Sequence, residues 1–577
     1  MGFLFRLPIS FYVSPTGSDG NPGTRTLPFA TIGAARTAVQ AVTAGQTDHV
    51  YVYLRDGVHA VSSTQAFTQA DSGQNGFSVI WTNMRGETPR VSGGSLITGW
   101  SDQGGGIWRA STSLNFRQLY VNGVRAVRAR LPNSGSFYDL ASWDETNDRC
   151  TAQTGTVASW AQLTRVEMVI LGKGVNQTNG RIASRSGDVV TFQEPERTKL
   201  FSEQTYPPRD DVPTDNVYFF ENALEFVTAE GEFYLDTVND HLYYMKRSTD
   251  NMATAEVYAP QVESLLSITG SGYGTPAHHI RFYGIHFEHS TWLYPETDGY
   301  VGDQSQIVFE DALPEDEITS YPGTRLPGAV TVSKADHLRF ERCVFKHLGA
   351  SGLNFYEAVD DSDVVGNVFW DISGGGMSID LLLEGNPAET RKICQRNTVT
   401  NNYIKKTGQD YYQTTGIHVG YGDTINIEHN EVTDVPYTGI TTGWGWEDTA
   451  NAANDITVQK NRVWDFCKLM SDGGGIYTLS EQSGGLIDRN YVFGSTRTSV
   501  QGQFSINCLY CDIGSDNITL SNNVLELDGL DGPDDLEIFL HLNGPNITDT
   551  NNAGSSQTTK DEAGLEAGYV DIRALAA

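Results

Sequence analysis

The chain is poor in basic residues, with 39 Lys and Arg against 71 Asp and Glu in 577 residues, a formal net charge of −32. Such a surface repels nucleic acid and anionic membranes, and neither is expected as a partner. Cysteine is sparse as well. The six thiols, Cys150, Cys343, Cys394, Cys467, Cys508 and Cys511, are too few for a disulfide framework at this length. Cys508 and Cys511 lie three apart in a strand-like run and so point to opposite faces, which excludes a zinc knuckle there. No apolar run approaches the roughly 18 residues of a membrane-spanning helix. The opening Met-Gly-Phe-Leu-Phe-Arg-Leu-Pro is shorter than a secretory leader. Phosphate loops, nucleophile elbows and zinc motifs are missing too.

What the chain has is glycine and a repeat. Sixty glycines punctuate short β-type runs that lack helical periodicity. Asn-x-apolar recurs at Asn367, Asn402, Asn430, Asn461, Asn490 and Asn522, with spacings of 35, 28, 31, 29 and 32 residues. A period of this size predicts an all-β solenoid, a right-handed parallel β-helix, with each Asn at the same bend of successive rungs. Its side-chain amide would bond the amides above and below. Cys343 stands where the ladder Asn would fall one rung earlier, which predicts a buried thiol.

Four sections are expected. Residues 1–104 form an N-terminal cap and first rungs, with Ala34-Ala-Arg-Thr-Ala-Val in a short amphipathic helix over the open strand edges. In 105–258 the rung rhythm lapses. Asn122-Gly123 between two β runs is a hairpin signal, Glu232–Asp236 and His241–Met245 form a second strand pair, and the section reads as an inserted small β-sandwich or barrel. The main solenoid follows over 259–545, and 546–577 is a tail packed against it. Inserts at 291–327 and 381–397 could close one end of a groove.

Aligning the rungs gives a column of strands after each ladder Asn. One face carries Ile417, Ile440, Ile476 and Leu509 and belongs in the core. The other carries His418, Tyr477, Tyr510 and Asp512, with Trp444, Trp446 and Glu447 just beyond. Aromatic rings stack on sugar C–H surfaces and polar groups bond sugar hydroxyls, so an exposed face of this kind suits a carbohydrate substrate. Cleaving a glycosidic bond takes two carboxyl groups. Asp472, Asp512, Glu447, Asp448, Asp380 and Glu481 are the candidates. Asp472 and Asp512 lie 40 residues apart. If Tyr477 pairs with Tyr510, however, Asp512 falls opposite Leu479, roughly 23 Å from Asp472 along a straight strand. A bend at Gly473-Gly474-Gly475 or a slip in register would be needed to bring them together.

The stretches Tyr12-Val-Ser-Pro-Thr-Gly-Ser-Asp, Leu119-Tyr-Val-Asn-Gly-Val-Arg-Ala, Gly443-Trp-Gly-Trp, Ser471-Asp-Gly-Gly-Gly-Ile-Tyr-Thr and Leu509-Tyr-Cys-Asp-Ile-Gly-Ser resemble glycoside hydrolase family 141 over nearly the whole chain. Cys511 and Ile513 depart from that pattern. The resemblance implies a glycoside hydrolase of fucosidase or xylanase/xylosidase type acting on a plant or microbial glycan, secreted and extracellular. It places the catalytic pair at Asp472 and Asp512; on the rung alignment, His418, Trp444, Trp446, Glu447, Tyr477 and Tyr510 would line the subsites. A family 120 type of β-xylosidase would use an Asp and a Glu instead, with Glu447 or Glu481 as the second group. No cofactor or catalytic metal is required, and a structural calcium is compatible with this chemistry. Two other classes compete. A polysaccharide lyase needs a Lys or Arg base and an acidic sugar, and a non-catalytic glycan binder needs only the face.

Overall fold

The computed structural model describes residues 8–576 except 173, 202–215, 310–322, 381–383, 499, 502–503 and 553. The opening heptapeptide and parts of both groove-closing inserts therefore lie outside the described residues.

Short strands, most of three to six residues, separated by turns, stack into three parallel sheets of twelve, ten and ten strands. We call them the long sheet, the ladder sheet and the site sheet. The long sheet begins at Ser10–Val13 and ends at Thr548–Thr550, the ladder sheet runs from Gly57–Ala60 to Val524–Leu525, and the site sheet runs from Gln65–Thr68 to Ile538–Leu540. The architecture is the expected parallel β-helix. Inward side chains repeat from rung to rung, so like stacks on like. Phe287, Phe345 and Phe369 stack at 5.3 and 4.7 Å between ring centroids. Ile417, Ile440, Ile476 and Leu509 are paired neighbours in register, all buried.

The asparagine ladder forms before the ladder-sheet strands. Asn402 donates from Nδ2 to Asn430 Oδ1 at 2.9 Å and to the Val364 carbonyl at 2.9 Å. Its own Oδ1 accepts from the backbone N–H and the side-chain amide of Asn367. Every polar valence of a buried amide is thereby used, which such a group requires away from water. The same pattern continues through Asn461 and Asn490. The last steps differ from expectation. Asn490 bonds to Asn523, and Asn523 to Asn552, while Asn522 is exposed and donates to Asp488. Asn523 is the residue directly before its strand, as at every other rung, and the final rung reaches past residue 545. Cys343 takes the step before Asn367, its backbone N–H donating to Asn367 Oδ1 with the thiol buried.

Helix Ile32–Thr43, capped by Thr31, turns Ile32, Ala35 and Val39 into the same core as Val13, Val52 and Phe67. Arg36 fastens it with two hydrogen bonds to Asp71. Antiparallel sheets interrupt the solenoid. They open at Gly94–Leu96, which pairs with Val257–Pro260, and include the hairpin at Asn122-Gly123, where φ is 52° and 75°. Strand Tyr300–Asp303, which follows in the chain after the solenoid resumes, pairs with Asn176–Ser186 and so ties the interruption to the solenoid. The last residues pack on the ladder sheet, with Leu565, Ile572 and Ala576 against Val344, Val368 and Tyr403 and with Arg573 on Glu431. Among the described residues no helix is long and apolar enough to cross a membrane.

Removing one amide from the ladder strands the donors and acceptors on both sides, at about 1–3 kcal/mol each. Asn523→Ala should therefore lower thermal stability clearly, whereas Asn522→Ala, one residue away but solvated, should change it little. Scanning calorimetry of the two variants checks this, and equal effects would misplace the ladder.

Candidate active site

Strand Gly473–Thr478 of the site sheet pairs with Ile506–Cys511 at one constant offset, Gly473 with Ile506 and Thr478 with Cys511. There is no slip in register. Asp472 precedes the first strand, with φ of 56°, and Asp512 follows the second, its N–H donating to the Thr478 carbonyl. Two tyrosines span the interval. Tyr510 donates to Asp472 Oδ1 at 3.0 Å, and Tyr477 donates to Asp512 Oδ2 at 2.5 Å, with their rings edge-on at 5.1 Å.

The triple glycine leaves room for this arrangement. A Cβ at Gly473 would stand 2.6 Å from the Tyr437 ring, and one at Gly475 would stand 2.3 Å from Val492. At Gly474 it would meet the Asn507 carbonyl at 2.7 Å and Tyr510 Cβ at 3.4 Å.

Asp472 and Asp512 open into one cleft of about 380 Å³. Its lining includes two further carboxylates, Asp303 and Asp534, the aromatic rings of Trp446, Phe504, Tyr510 and Phe539, and His541. No Lys or Arg is found among its described lining residues. Burial, and then the charge of Asp512, push the Asp472 carboxyl up to about 7, against the opposing pull of the Tyr510 hydrogen bond. Burial and the neighbouring carboxylates hold the Tyr477 and Tyr510 phenols well above their ordinary range, so both remain donors. Asp512 also meets His541 Nδ1 at 2.8 Å through Oδ1.

The other expected site residues are distributed differently. Tyr477 and Tyr510 reach the aspartates with their hydroxyls, but their bodies are buried rather than exposed. His418 lies on the expected strand face yet is fully buried, because Trp444 and Arg325 cover that part of the site sheet. Burial, and then the Arg325 charge, hold its imidazole well below the ordinary range, and it does not line the cleft. Trp444 is buried, with the Arg325 guanidinium 4.7 Å from its ring. Trp444 and Glu447 line a neighbouring cavity, and Trp446 stands between the two, lining both. Of the alternative acids, Asp380 is buried against the Cys394 N–H and Glu481 accepts from Asn517.

Sequence reasoning missed His541, Phe539 and Asp303. One more rung of the alignment reaches the first two, since Tyr510 pairs with Phe539 and Cys511 with Leu540, which sets His541 beside Asp512. Asp303 comes from the strand joined to the inserted sheets and has no counterpart in the repeat.

The GH141 insertion domain matches residues 107–247, and the right-handed β-helix region matches 283–463. A solved structure described as a glycoside hydrolase is 28% identical and superposes with a TM-score of 0.86, covering 98% of this chain and 100% of that one. The complex structure of XylC with xylose is 11% identical at a TM-score of 0.49, covering 95% of this chain and 86% of that one. A GH136 lacto-N-biosidase from Eubacterium ramulus is 9% identical at 0.37, covering 94% and 68%. No curated protein matches the chain. The chain is a right-handed parallel β-helix of the glycoside hydrolase family 141 type, and an enzyme of the glycoside hydrolase class.

With its folded pKa raised to about 7, Asp472 keeps in the native state a proton that the unfolded chain loses near pH 4. That stabilisation is present at low pH and is lost as pH rises through about 7. Asp472→Asn, a neutral mimic of the protonated acid, should accordingly stabilise the fold by roughly 1–3 kcal/mol above pH 8 and by almost nothing near pH 4. Thermal unfolding of both proteins across that range checks it, and a pH-independent difference would contradict the raised pKa.

Proposed function

We propose that this enzyme hydrolyses glycosidic bonds in a neutral plant or microbial glycan, with Asp472 as general acid and Asp512 as nucleophile or as base to a water. The observation that carries the reading is one cleft holding both aspartates, in which Asp472 retains a proton near neutral pH. Catalytic acids need a pKa close to the working pH. The Tyr510 hydroxyl occupies Asp472 Oδ1, which leaves Oδ2 to carry the proton to the glycosidic oxygen. Asp512 is held at both oxygens by Tyr477 and His541, which fixes its direction. Phe539, Phe504 and Trp446 offer ring faces for sugar C–H surfaces.

Four aspartates and no described Lys or Arg in the lining speak against a uronate polymer, which would be repelled and would find no basic residue to abstract its proton. This favours a hydrolase over a lyase. A non-catalytic binder has no use for a carboxyl group held near neutrality beside a second one. Fucosyl- or xylosyl-containing glycans of fucosidase or xylanase/xylosidase type are the substrates to which the family resemblance leads. The resemblance of the Tyr12-Val-Ser-Pro-Thr-Gly-Ser-Asp entry segment to that of secreted β-helix carbohydrate enzymes supports an extracellular location. Strong negative charge speaks against nucleic acid or membrane as partners.

Release of reducing sugar from a panel of neutral plant oligosaccharides and polysaccharides should be measured for the wild type, Asp472→Asn and Asp512→Asn. Each variant should lose about 10²–10⁴-fold in rate on unactivated substrates while remaining folded, and the wild-type kcat/KM should fall as pH rises through about 7. Unchanged variants would remove the pair from catalysis. Unsaturated uronate products from an acidic polymer would replace the hydrolase reading with a lyase.

A further inference from the structure

Among the described residues, two groups of imidazole and carboxylate ligands lie outside the cleft, on much earlier rungs: Glu288, His289 and His347, and His279, Asp336 and His337. The first is buried, but Glu288 already faces two cations, Arg90 Nη1 and Lys346 Nζ, each at 3.5 Å. These oppose a third cation. The second group is open to solvent. It sits at the corner between the site sheet and the long sheet, where a minor three-stranded sheet of Ala277–His278, Ala335–Asp336 and Val359–Asp360 runs across three rungs.

The rung register makes this corner an array. His278 pairs with Asp336, and Asp336 with Asp360. His279 and His337 follow directly, both in the left-handed region at φ of 52°, with their rings parallel at 4.7 Å between centroids. His337 Nδ1 stands 2.9 Å from Asp336 Oδ1. One ligand atom from each of His279, Asp336 and His337 lies within 4.8 Å of the others. Ligand atoms on one four-coordinate zinc lie roughly 3.3 Å apart, given bonds of about 2.0–2.1 Å. The array needs only a small closure, and the partly exposed rings can turn to make it. His278 Nδ1 contacts His279 Nδ1 at 3.2 Å, placing a neighbour that orients the ring.

We infer that His279, Asp336 and His337 form a binding site for a divalent transition-metal ion of the zinc type, with water completing its coordination. Two imidazoles and one carboxylate suit zinc and its neighbours better than calcium, which takes six to eight oxygen ligands. Because His279 belongs to one rung and Asp336 and His337 to the next, the ion would cross-link adjacent rungs. Its effect would fall on the stability of the early solenoid rather than on the cleft.

The test is calorimetric titration of the whole protein with zinc chloride, and with calcium chloride in parallel, alongside thermal unfolding in each. Wild type should bind zinc saturably near one equivalent and unfold at a higher temperature with it, while calcium does neither. His279→Ala and His337→Ala should each weaken zinc binding at least tenfold and abolish the shift, with His541→Ala unchanged in both. Absence of saturable zinc binding by the wild type would overturn the inference. So would full binding by the His279→Ala/His337→Ala double variant, or loss of binding in His541→Ala, which would place the ion in the cleft.

Discussion

The structure depends on rung-to-rung register. Parallel strands of only a few residues make few hydrogen bonds each, so what holds one rung over the next is repetition of the same contact at the same position. The asparagine ladder is the least forgiving of these contacts, because a buried amide must find all its partners in the neighbouring rungs or lose free energy. A rung displaced by one residue would break the ladder on both sides and turn its inward side chains out. Register fixed in this way is what lets residues from separate rungs, Asp472, Asp512 and His541, stand around one cleft.

Much of this was legible because the repeat is written in the sequence. Asn-x-apolar at near-constant spacing, a glycine turn on every rung and an aliphatic residue in every site-sheet strand point to one architecture. Cys343 is visible as the residue that takes a ladder position. The misplacement of Asn523 by one residue has a simple cause: two adjacent asparagines both fit the pattern, and only pairing with Asn490 distinguishes them. The burial of His418 and Trp444 was not legible. A periodic pattern says which face of a strand points outward, but not whether something distant in sequence covers it. Arg325 comes from a non-repeating segment and does so.

The geometry of the cleft shows a second limit of sequence reasoning. Counted along backbones, Asp472 and Asp512 stand at opposite ends of their strands, and the glycines between them suggested a bend. The chain does curve there: Gly474 pairs with Asn507, three residues before Tyr510, yet a Cβ on Gly474 would stand 3.4 Å from Tyr510 Cβ. The glycines also give way to neighbouring atoms at their Cβ positions, and Tyr477 and Tyr510 reach the acids with side chains several ångströms long. Straight-strand spacing therefore overstates the separation of groups that a curved strand and two tyrosines bring together. The same tyrosines donate hydrogen bonds to the carboxylates, and their surroundings help give the two acids different environments.

The most direct test of Asp472 as the proton donor is its dependence on the leaving group. For Asp472→Asn, rates on aryl glycosides should approach wild type as the aryl group becomes a better leaving group, since an activated phenolate departs without a proton. Asp512→Asn should stay impaired on all of them. Equal impairment of Asp472→Asn across the series would contradict the assignment of Asp472 as the acid.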